Sequence, residues 1–305
     1  MISLRGVSKS YRMITGRQVL AVADVTLDVN AGEVVGIAGP NGAGKTTIIA
    51  MLMGFLRPTM GEVTIAGLPA RRYVEQNGVA YLPELMALMK TWPVEHALRR
   101  LATLSGVPGD RVTAQVNRVI EMLDIGEHRK KRIKALSKGN FQRLGLAQAL
   151  LREFDVVVFD EPTHGLDPVW TQRFRAIVTE LRRPNRAILI ASHNLDELER
   201  VADRVAIMDH GKLQRVVAVG GARDGSARDY LVRVLGDPAA VLAAFPGSAV
   251  RAAGEVVVPS IDVPALNAGL QAAIAGGAQV TGLAPRESAL EAEFHAAVSG
   301  HGGGA

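Results

Sequence analysis

Residues 39–46 read GPNGAGKT, and this stretch decides the fold of the chain. Glycines in such a stretch let successive backbone N–H groups curl around phosphate oxygens, and the N-terminus of a following helix adds partial positive charge. The apolar run EVVGIAG leads into the stretch, and KTTIIAMLMGFL leaves it with the apolar spacing of a helix. A strand, a glycine-rich loop and a helix in this order predict a phosphate-binding loop.

Strand-like and helical patterns alternate through residues 1–217, which we predict to form one α/β domain. The N-terminal residues alternate in β fashion and predict an antiparallel β subdomain. The later apolar runs VVVF and AILIA have the length of buried strands, and the helices between them predict a mostly parallel sheet covered on both faces. Helical spacing dominates residues 85–152, so we expect a helical lobe inserted into this core.

The pattern changes near residue 218. The polar, glycine-containing stretch 218–229 is predicted to be a linker. Residues 230–298 then give strand, helix, two strands, helix and strand, which is the split βαβ arrangement, and a final helix. This small α+β domain carries no cluster of titratable residues, so we interpret it as a packing or interaction module. Residues 299–305 are predicted to be a disordered tail.

Composition narrows the class of protein. The 305 residues contain no Cys, which excludes disulfides and thiolate metal sites. No apolar run approaches the ~18 residues needed to span a bilayer, and the start lacks the apolar core of a signal peptide, so we expect an intracellular chain. The net charge of +5 permits an anionic partner. The basic run HRKKRIK at 128–134 has no interleaved aromatics, which favours a solvated face over a contact with phosphate or lipid headgroups.

Two carboxylates end the apolar run VVVFDE at 156–161. A strand delivers its last residues to the carboxyl edge of the sheet, where ligands bind in open α/β folds. Asp160 then suits the coordination shell of Mg²⁺, and Glu161 points at the water that attacks a γ-phosphate. Lys45 is placed for the β- and γ-phosphates and Thr46 for Mg²⁺. The alternative is a strand-end pair that caps the next helix.

A second short motif, ALSKGNFQR at 135–143, lies far from the phosphate loop. By itself it reads as Ser137 capping an amphipathic helix. Further on, Asp167 and Pro168 have the positions of a helix cap and a first-turn proline, and His193 follows an apolar strand.

Taken together, these motifs resemble the nucleotide-binding cassette of ABC ATPases. In chain order they are 39–46, the LSxG signature at 136–139, 156–161, GLD at 165–167 and His193. The resemblance implies an ATPase in which two cassettes pack head to tail, so that the signature of one covers the ATP of the other. Ser137 would meet the γ-phosphate of the partner, and Gly139 would let the backbone approach. Glu161, His193 and Lys45 would be catalytic.

The resemblance also implies the remaining site residues. The predicted ATP-binding residues are Tyr11, Gly39, Pro40, Asn41, Gly42, Ala43, Gly44, Lys45, Thr46, Thr47, Ser137, Gly139 and Asp167. The predicted Mg²⁺ ligands are Thr46, Glu84 and Asp160. Tyr11 is either the residue that stacks on adenine or a plain strand-edge tyrosine. Asp167 would link the two sites across the dimer. The histidines not assigned here are expected at the surface.

The chain departs from the family pattern at several positions. Glu84 stands where the family has Gln, and this adds negative charge near the γ-phosphate. In the signature, Lys138 replaces Gly and Asn140 replaces Gln; Lys138 either adds a cation near phosphate or points to solvent. We assign no chemistry to His164. The apolar stretch LMALMKTW at 85–92 is either core packing for the helical lobe or a groove for a short helix of a membrane partner.

The resulting hypothesis is the ATP-hydrolysing subunit of an export-type ABC transporter. Its partners would be a separate membrane-spanning permease and a second copy of itself or a homologous cassette, and it would lie at the cytoplasmic face of the cell membrane. An importer ATPase stays possible because the cassette does not encode direction. A soluble ABC ATPase acting on ribosomes or DNA is a further alternative, although we expect no nucleic acid. The chain lacks the Asn-Lys-x-Asp guanine motif of a GTPase.

Overall fold

The computed structural model describes residues 1–12, 16, 18–219, 228–285 and 289–299. The chain divides into two compact units, Met1–Gly220 and Gly221–Ala305. Most of the predicted linker and nearly all of the predicted tail lie outside the described residues. Each unit is therefore described by itself.

The first unit contains the predicted strands and helices of the cassette. Its strands are β1 Ile2–Arg12, β2 Gln18–Val29, β3 Val34–Ala38, β4 Met60–Ile65, β5 Leu68–Pro69, β6 Ala80–Leu82, β7 Val156–Asp160, β8 Ala187–Ser192, β9 Arg204–Asp209 and β10 Lys212–Ala218. Its α-helices are α1 Lys45–Leu52, α2 Ala70–Asn77, α3 Val94–Leu104, α4 Val112–Met122, α5 Lys138–Ala149, α6 Pro168–Leu181 and α7 Leu195–Val201.

The central sheet of this unit has the order β10-β9-β3-β8-β7-β6. Every pair from β9 to β6 is parallel, and β10 pairs antiparallel with β9 at the edge. Strands β3, β7 and β8 are buried along their whole length, because helices cover both faces of a parallel sheet. The predicted parallel sheet is confirmed, and the carboxyl ends of β3, β7 and β8 reach the same edge.

A second, antiparallel sheet has the order β2-β1-β4-β5, as predicted for the N-terminal subdomain. Alternate residues of β1, including Ile2 and Leu4, are buried, and they join one apolar core with Ile37 of β3 and Ile48 of α1. The glycine-rich loop is therefore anchored between two sheets.

Helices α3, α4 and α5 form the predicted helical lobe. In α4, Val112, Val116, Val119 and Ile120 are buried, and they form the apolar face that the sequence predicted. Three strands or α-helices of the unit, as described, were not predicted, namely α2, the two-residue strand β5 and the edge strand β10. Within the described residues, no helix is both long enough and apolar enough to cross a lipid bilayer.

The second unit contains β11 Arg228–Leu235, α8 Ala239–Ala244, β12 Ala249–Ala252, β13 Glu255–Ile261, α9 Val263–Ala275, β14 Gln279–Pro285 and α10 Ala289–Ser299. Its antiparallel sheet has the order β12-β13-β11-β14, which is the strand order of a split βαβ fold. Val232, Phe245, Val256 and Leu266 belong to its apolar core. The element order agrees with the sequence prediction.

Candidate active site

The phosphate loop joins β3 to α1, and close contacts require glycine at two of its positions, Gly39 and Gly44. A Cβ at Gly39 would lie 2.5 Å from the carbonyl oxygen of Met208. A Cβ at Gly44 would lie 2.6 Å from the carbonyl oxygen of Ala21, and Gly44 also has a φ of +100°. Larger residues at these positions would push the loop off the sheet edge.

Lys45 begins α1 and is almost fully buried. Its ammonium donates to the carbonyl oxygens of Gly39 at 2.6 Å and Pro40 at 3.2 Å. The same Nζ lies 3.9 Å from Oε1 of Glu161. The lysine therefore holds the loop closed and brings positive charge to the end of β7.

Asp160 is the last residue of β7 and is 1% exposed. Neither of its carboxylate oxygens has a hydrogen-bond partner among the described residues. Burial raises the pKa of Asp160 to about 6, and the negative charges of Glu84 and Glu161 add to this, while the nearby Thr46 hydroxyl and Lys45 act in the opposite direction. Such a buried, unsatisfied carboxylate calls for a cation.

Glu161 follows in a left-handed conformation, with a φ of +49°. Its carboxylate accepts hydrogen bonds from the His193 backbone N–H at 3.0 Å and from the Ser192 hydroxyl at 3.3 Å. The ring Nδ1 of His193 lies 2.8 Å from Oε2 of this carboxylate, the oxygen that also accepts from Ser192. Because these donors come from the end of β8, two neighbouring strands position the carboxylate together.

These groups line one open cleft of about 470 Å³. The cleft contains residues 41–47 of the loop, together with Glu84, Asp160, Glu161 and His193. It also contains His164, to which the sequence assigned no chemistry. The other predicted residues are not among the described residues that line the cleft: Tyr11, Gly39, Pro40, Ser137, Gly139 and Asp167.

Those remaining residues have local roles that the structure defines. The Ser137 hydroxyl caps α5 by accepting from the backbone N–H of Asn140 at 3.2 Å. The Asp167 carboxylate caps α6 by accepting from the backbone N–H of Trp170 at 2.9 Å. Tyr11 lies at the partly exposed end of β1. Both caps were predicted, and the nucleotide contacts of these residues remain predictions.

The chain is similar in sequence to known proteins. A family model described as ABC transporter matches residues 22–164. The ABC transporter ATP-binding protein YdbJ of Bacillus subtilis is 30% identical over 312 aligned positions, covering 99% of this chain and 96% of YdbJ. The chain belongs to the ABC transporter ATP-binding proteins. The methionine import ATP-binding protein MetN of Ralstonia nicotianae is 34% identical, over 73% of this chain and 65% of MetN.

Solved structures show the same fold. The dimeric structure of the bacterial ABC transporter cassette MJ0796 aligns with a TM-score of 0.67 and 21% identity, covering 72% of this chain and all of that cassette. The first unit therefore has the fold of an ABC ATPase. Relatives differ in extent, and the chain spans 59% of the length of a 36% identical ABC transporter ATP-binding protein from Nostoc.

One residue that supports the ABC cassette site was missed from the sequence. Gln142 is buried in α5, and its amide donates to the carbonyl oxygens of Glu161 at 3.2 Å and Pro162 at 2.9 Å. The only local signal was a polar residue among the apolar positions of this helix. Gln142 ties the signature helix to the loop that carries Glu161.

The expected surface position of the unassigned histidines is wrong for His128, which is 5% exposed. Its Nδ1 lies 3.0 Å from Nζ of Lys131, and its Nε2 lies 2.7 Å from Nδ2 of Asn140. The turn after α4 folds its ring inward, so one end of the basic run packs beneath the signature.

The apolar stretch at 85–92 lies beside the basic run at 128–134. Backbone hydrogen bonds join Ile133 to Trp92 and Lys134 to Lys90, each at 2.9 Å. Leu85 is 85% exposed, which favours the groove interpretation, whereas the nearby Met86 packs against Gly145 of α5. The stretch therefore serves both core packing and a solvent-facing apolar surface flanked by cations.

Proposed function

We propose that this chain is the ATP-hydrolysing subunit of an ABC exporter. The observation that carries the proposal is the meeting, in one cleft, of the phosphate loop, Asp160, Glu161 and His193. A loop that binds phosphate needs only a cation site and an oriented water to perform phosphoryl transfer, because that chemistry depends mainly on positioning and electrostatics.

The residues of the cleft divide the reaction between them. Glu161 orients water and accepts its proton as the water oxygen bonds to the γ-phosphorus and the bond to the bridging oxygen breaks. Lys45 and His193 stabilise the charge that develops on the transferred group. The contacts of Glu161 with Ser192 and His193 support this role, since they fix the direction of its carboxylate.

The donor set fits Mg²⁺. Asp160 offers two unpaired buried oxygens, and Thr46 and Glu84 face the same cleft. Mg²⁺ is commonly held by one or two carboxylates together with substrate phosphates, and this donor set fits that pattern. When bound, Mg²⁺ would neutralise charge on the β- and γ-phosphates.

We further propose that two cassettes close around two ATP molecules. Ser137 and Gly139 do not line the cleft of their own chain, which supports a role for the signature at the nucleotide of a partner. The dimeric form of the MJ0796 cassette is a precedent for such pairing. In this arrangement Asp167 lies at the dimer contact and Tyr11 stacks on adenine.

The partner that crosses the membrane would be a separate chain docked on the surface around Leu85 and Met89, which holds this chain at the cytoplasmic face of the membrane. The small C-terminal α+β unit supports export. The similarity to MetN, which is named for import, supports the opposite direction as the alternative.

The test uses tagged Glu161→Gln protein purified from detergent-solubilised native cells with Mg-ATP. A co-purifying multi-span membrane protein supports the transporter, and transport assays with it then give the direction. Lys45→Ala, which should not retain nucleotide, is purified in the same way as the matched negative control. Ribosomes or nucleic acid that co-purify with Glu161→Gln but not with Lys45→Ala would contradict the transporter hypothesis and favour a soluble ABC ATPase.

A further inference from the structure

Two residues that depart from the family pattern are in contact. Lys138 is the first residue of α5, and His164 lies in the loop between β7 and α6. The Lys138 ammonium lies 2.6 Å from Nε2 of His164. Neither residue could be assigned a role from the sequence, and the contact joins the signature to a residue that lines the nucleotide cleft.

The surrounding backbone holds this contact in place. The aliphatic stem of Lys138 packs over Gly165, where a Cβ would lie 2.8 Å from its Cδ and Cε atoms. Gly165 has a φ of +84°, and a Cβ at Gly139 would lie 3.2 Å from its carbonyl oxygen. The start of α5 therefore lies directly on the loop, with glycine on both sides of the contact.

A backbone hydrogen bond links His164 to Glu161. The N–H of His164 donates to the carbonyl oxygen of Glu161 at 3.2 Å. The Gln142 amide, one turn further along α5, donates to that same oxygen. Helix α5 thus contacts the loop through Lys138 and through Gln142, and Glu161 is the first residue of the contacted segment.

The chemistry of the pair defines its geometry. An ammonium only donates, so a hydrogen bond between the two side chains requires Nε2 of His164 to accept. Lys138 then sets the orientation of the ring. The His164 ring lies in the lining of the cleft, and Lys138 lies outside that lining.

We propose that Lys138 and His164 are positioning residues for ATP hydrolysis, which together set the loop that carries Glu161 relative to the signature helix. This inference rests on the proposed ATPase function. Because the signature serves the partner's nucleotide in that proposal, the pair links the position of one ATP site to the alignment of the general base in the other.

The test is a double-mutant cycle on the purified full chain, with Lys138→Met, His164→Ala and both together. We expect each single variant to lower kcat about five-fold, with KM for ATP unchanged, and the double variant to lower it about five-fold rather than 25-fold, because both remove one interaction. Lys138→Arg, which keeps a cationic donor, should restore most of the rate.

Lys130→Met is the matched control, since Lys130 is exposed and is not among the residues that line the cleft. Thermal unfolding and binding of a fluorescent ATP analogue show whether each variant folds and binds. Three outcomes would overturn the positioning role of the pair while leaving the proposed ATPase function intact. They are a 25-fold loss of kcat in the double variant, unchanged kcat in the single variants, and a kcat of Lys138→Arg no higher than that of Lys138→Met. A folded wild-type chain that binds but never hydrolyses ATP overturns the proposed function and this inference together.

Discussion

The nucleotide cleft and the core of the second unit treat polar groups in opposite ways. Lys45, Asp160 and Glu161 are buried at the edge of the central sheet, and the oxygens of Asp160 have no hydrogen-bond partner among the described residues. In the described part of the second unit, the buried residues are all apolar, and Phe245 and Leu266 are among them.

This difference indicates that the buried charges of the cleft serve a ligand, whereas the core of the second unit serves packing. Burying a charge without a partner costs free energy, so a chain that keeps one does so for a ligand. Among its described residues, the second unit has no buried charge of this kind and no candidate site by this criterion. We therefore expect substitutions in the cleft to change catalysis, and substitutions in the second core to change stability alone.

The largest effect should come from Glu161→Gln. Loss of a general base lowers turnover by about 10²–10⁴-fold, while the phosphate loop still binds ATP. ATPase assays should show this loss, and size-exclusion chromatography with Mg-ATP should show a trapped dimer. Glu180→Gln on the exposed face of α6 is the control. An unchanged rate in Glu161→Gln would remove the general-base role.

In the second unit, Phe245→Ala should destabilise by about 3–5 kcal/mol without weakening ATP binding. The ring packs against Gly269, and its removal leaves a cavity in the core. Hydrogen exchange of the amides of β11 and β13 measures the loss. Leu235→Ala, at an exposed site, should change stability by less than about 0.5 kcal/mol. A folded Phe245→Ala protein unable to bind ATP would contradict the expectation that substitutions in the second core change stability alone.

Asp160→Asn should stabilise the protein in EDTA while impairing hydrolysis. The folded pKa of about 6 exceeds the ordinary 3.8, so the wild type loses stability as pH rises through this window. The gain from the substitution should be about 3 kcal/mol at pH 7.5 and about 1 kcal/mol at pH 4.5. Urea unfolding at both pH values checks this, and a gain independent of pH would contradict the buried-charge argument.

The smallest effect should come from Gln142→Ala. Removing the amide leaves the carbonyl of Pro162 without this donor and weakens the hold on Glu161, at a cost of about 1–3 kcal/mol. Turnover should fall a few-fold at unchanged ATP affinity. Gln148→Ala, on the same helix, is the control for helix propensity. Equal stability and turnover in the two variants would mean that the contact does not position the loop.

Local patterns predicted most of the fold. The phosphate loop, the apolar strands β7 and β8 and the helix caps at Ser137 and Asp167 all have signals within a few residues. The split βαβ arrangement of the second unit also followed from its element order. The elements that were missed are short or exposed: α2 buries only Ala70 and Tyr73, and β10 is an edge strand without a buried residue.

The site was predicted only in part, for a related reason. The cleft residues lie at strand ends, where the sheet brings them together predictably. The contacts of Gln142, Lys138 and His128 instead join segments distant in sequence, and each depends on how α5 seats against its neighbours. The local sequence pattern does not contain information on how this helix packs against distant segments.

The bonds from Lys45 to the carbonyls of Gly39 and Pro40 have a consequence for ATP capture. They hold the phosphate loop in a nest-like shape as part of folding. The entropy of ordering the loop is then lost once per molecule and not at each encounter with ATP. Capture becomes an exchange of partners around one ammonium, so the loop is preorganised for repeated cycles of binding and release.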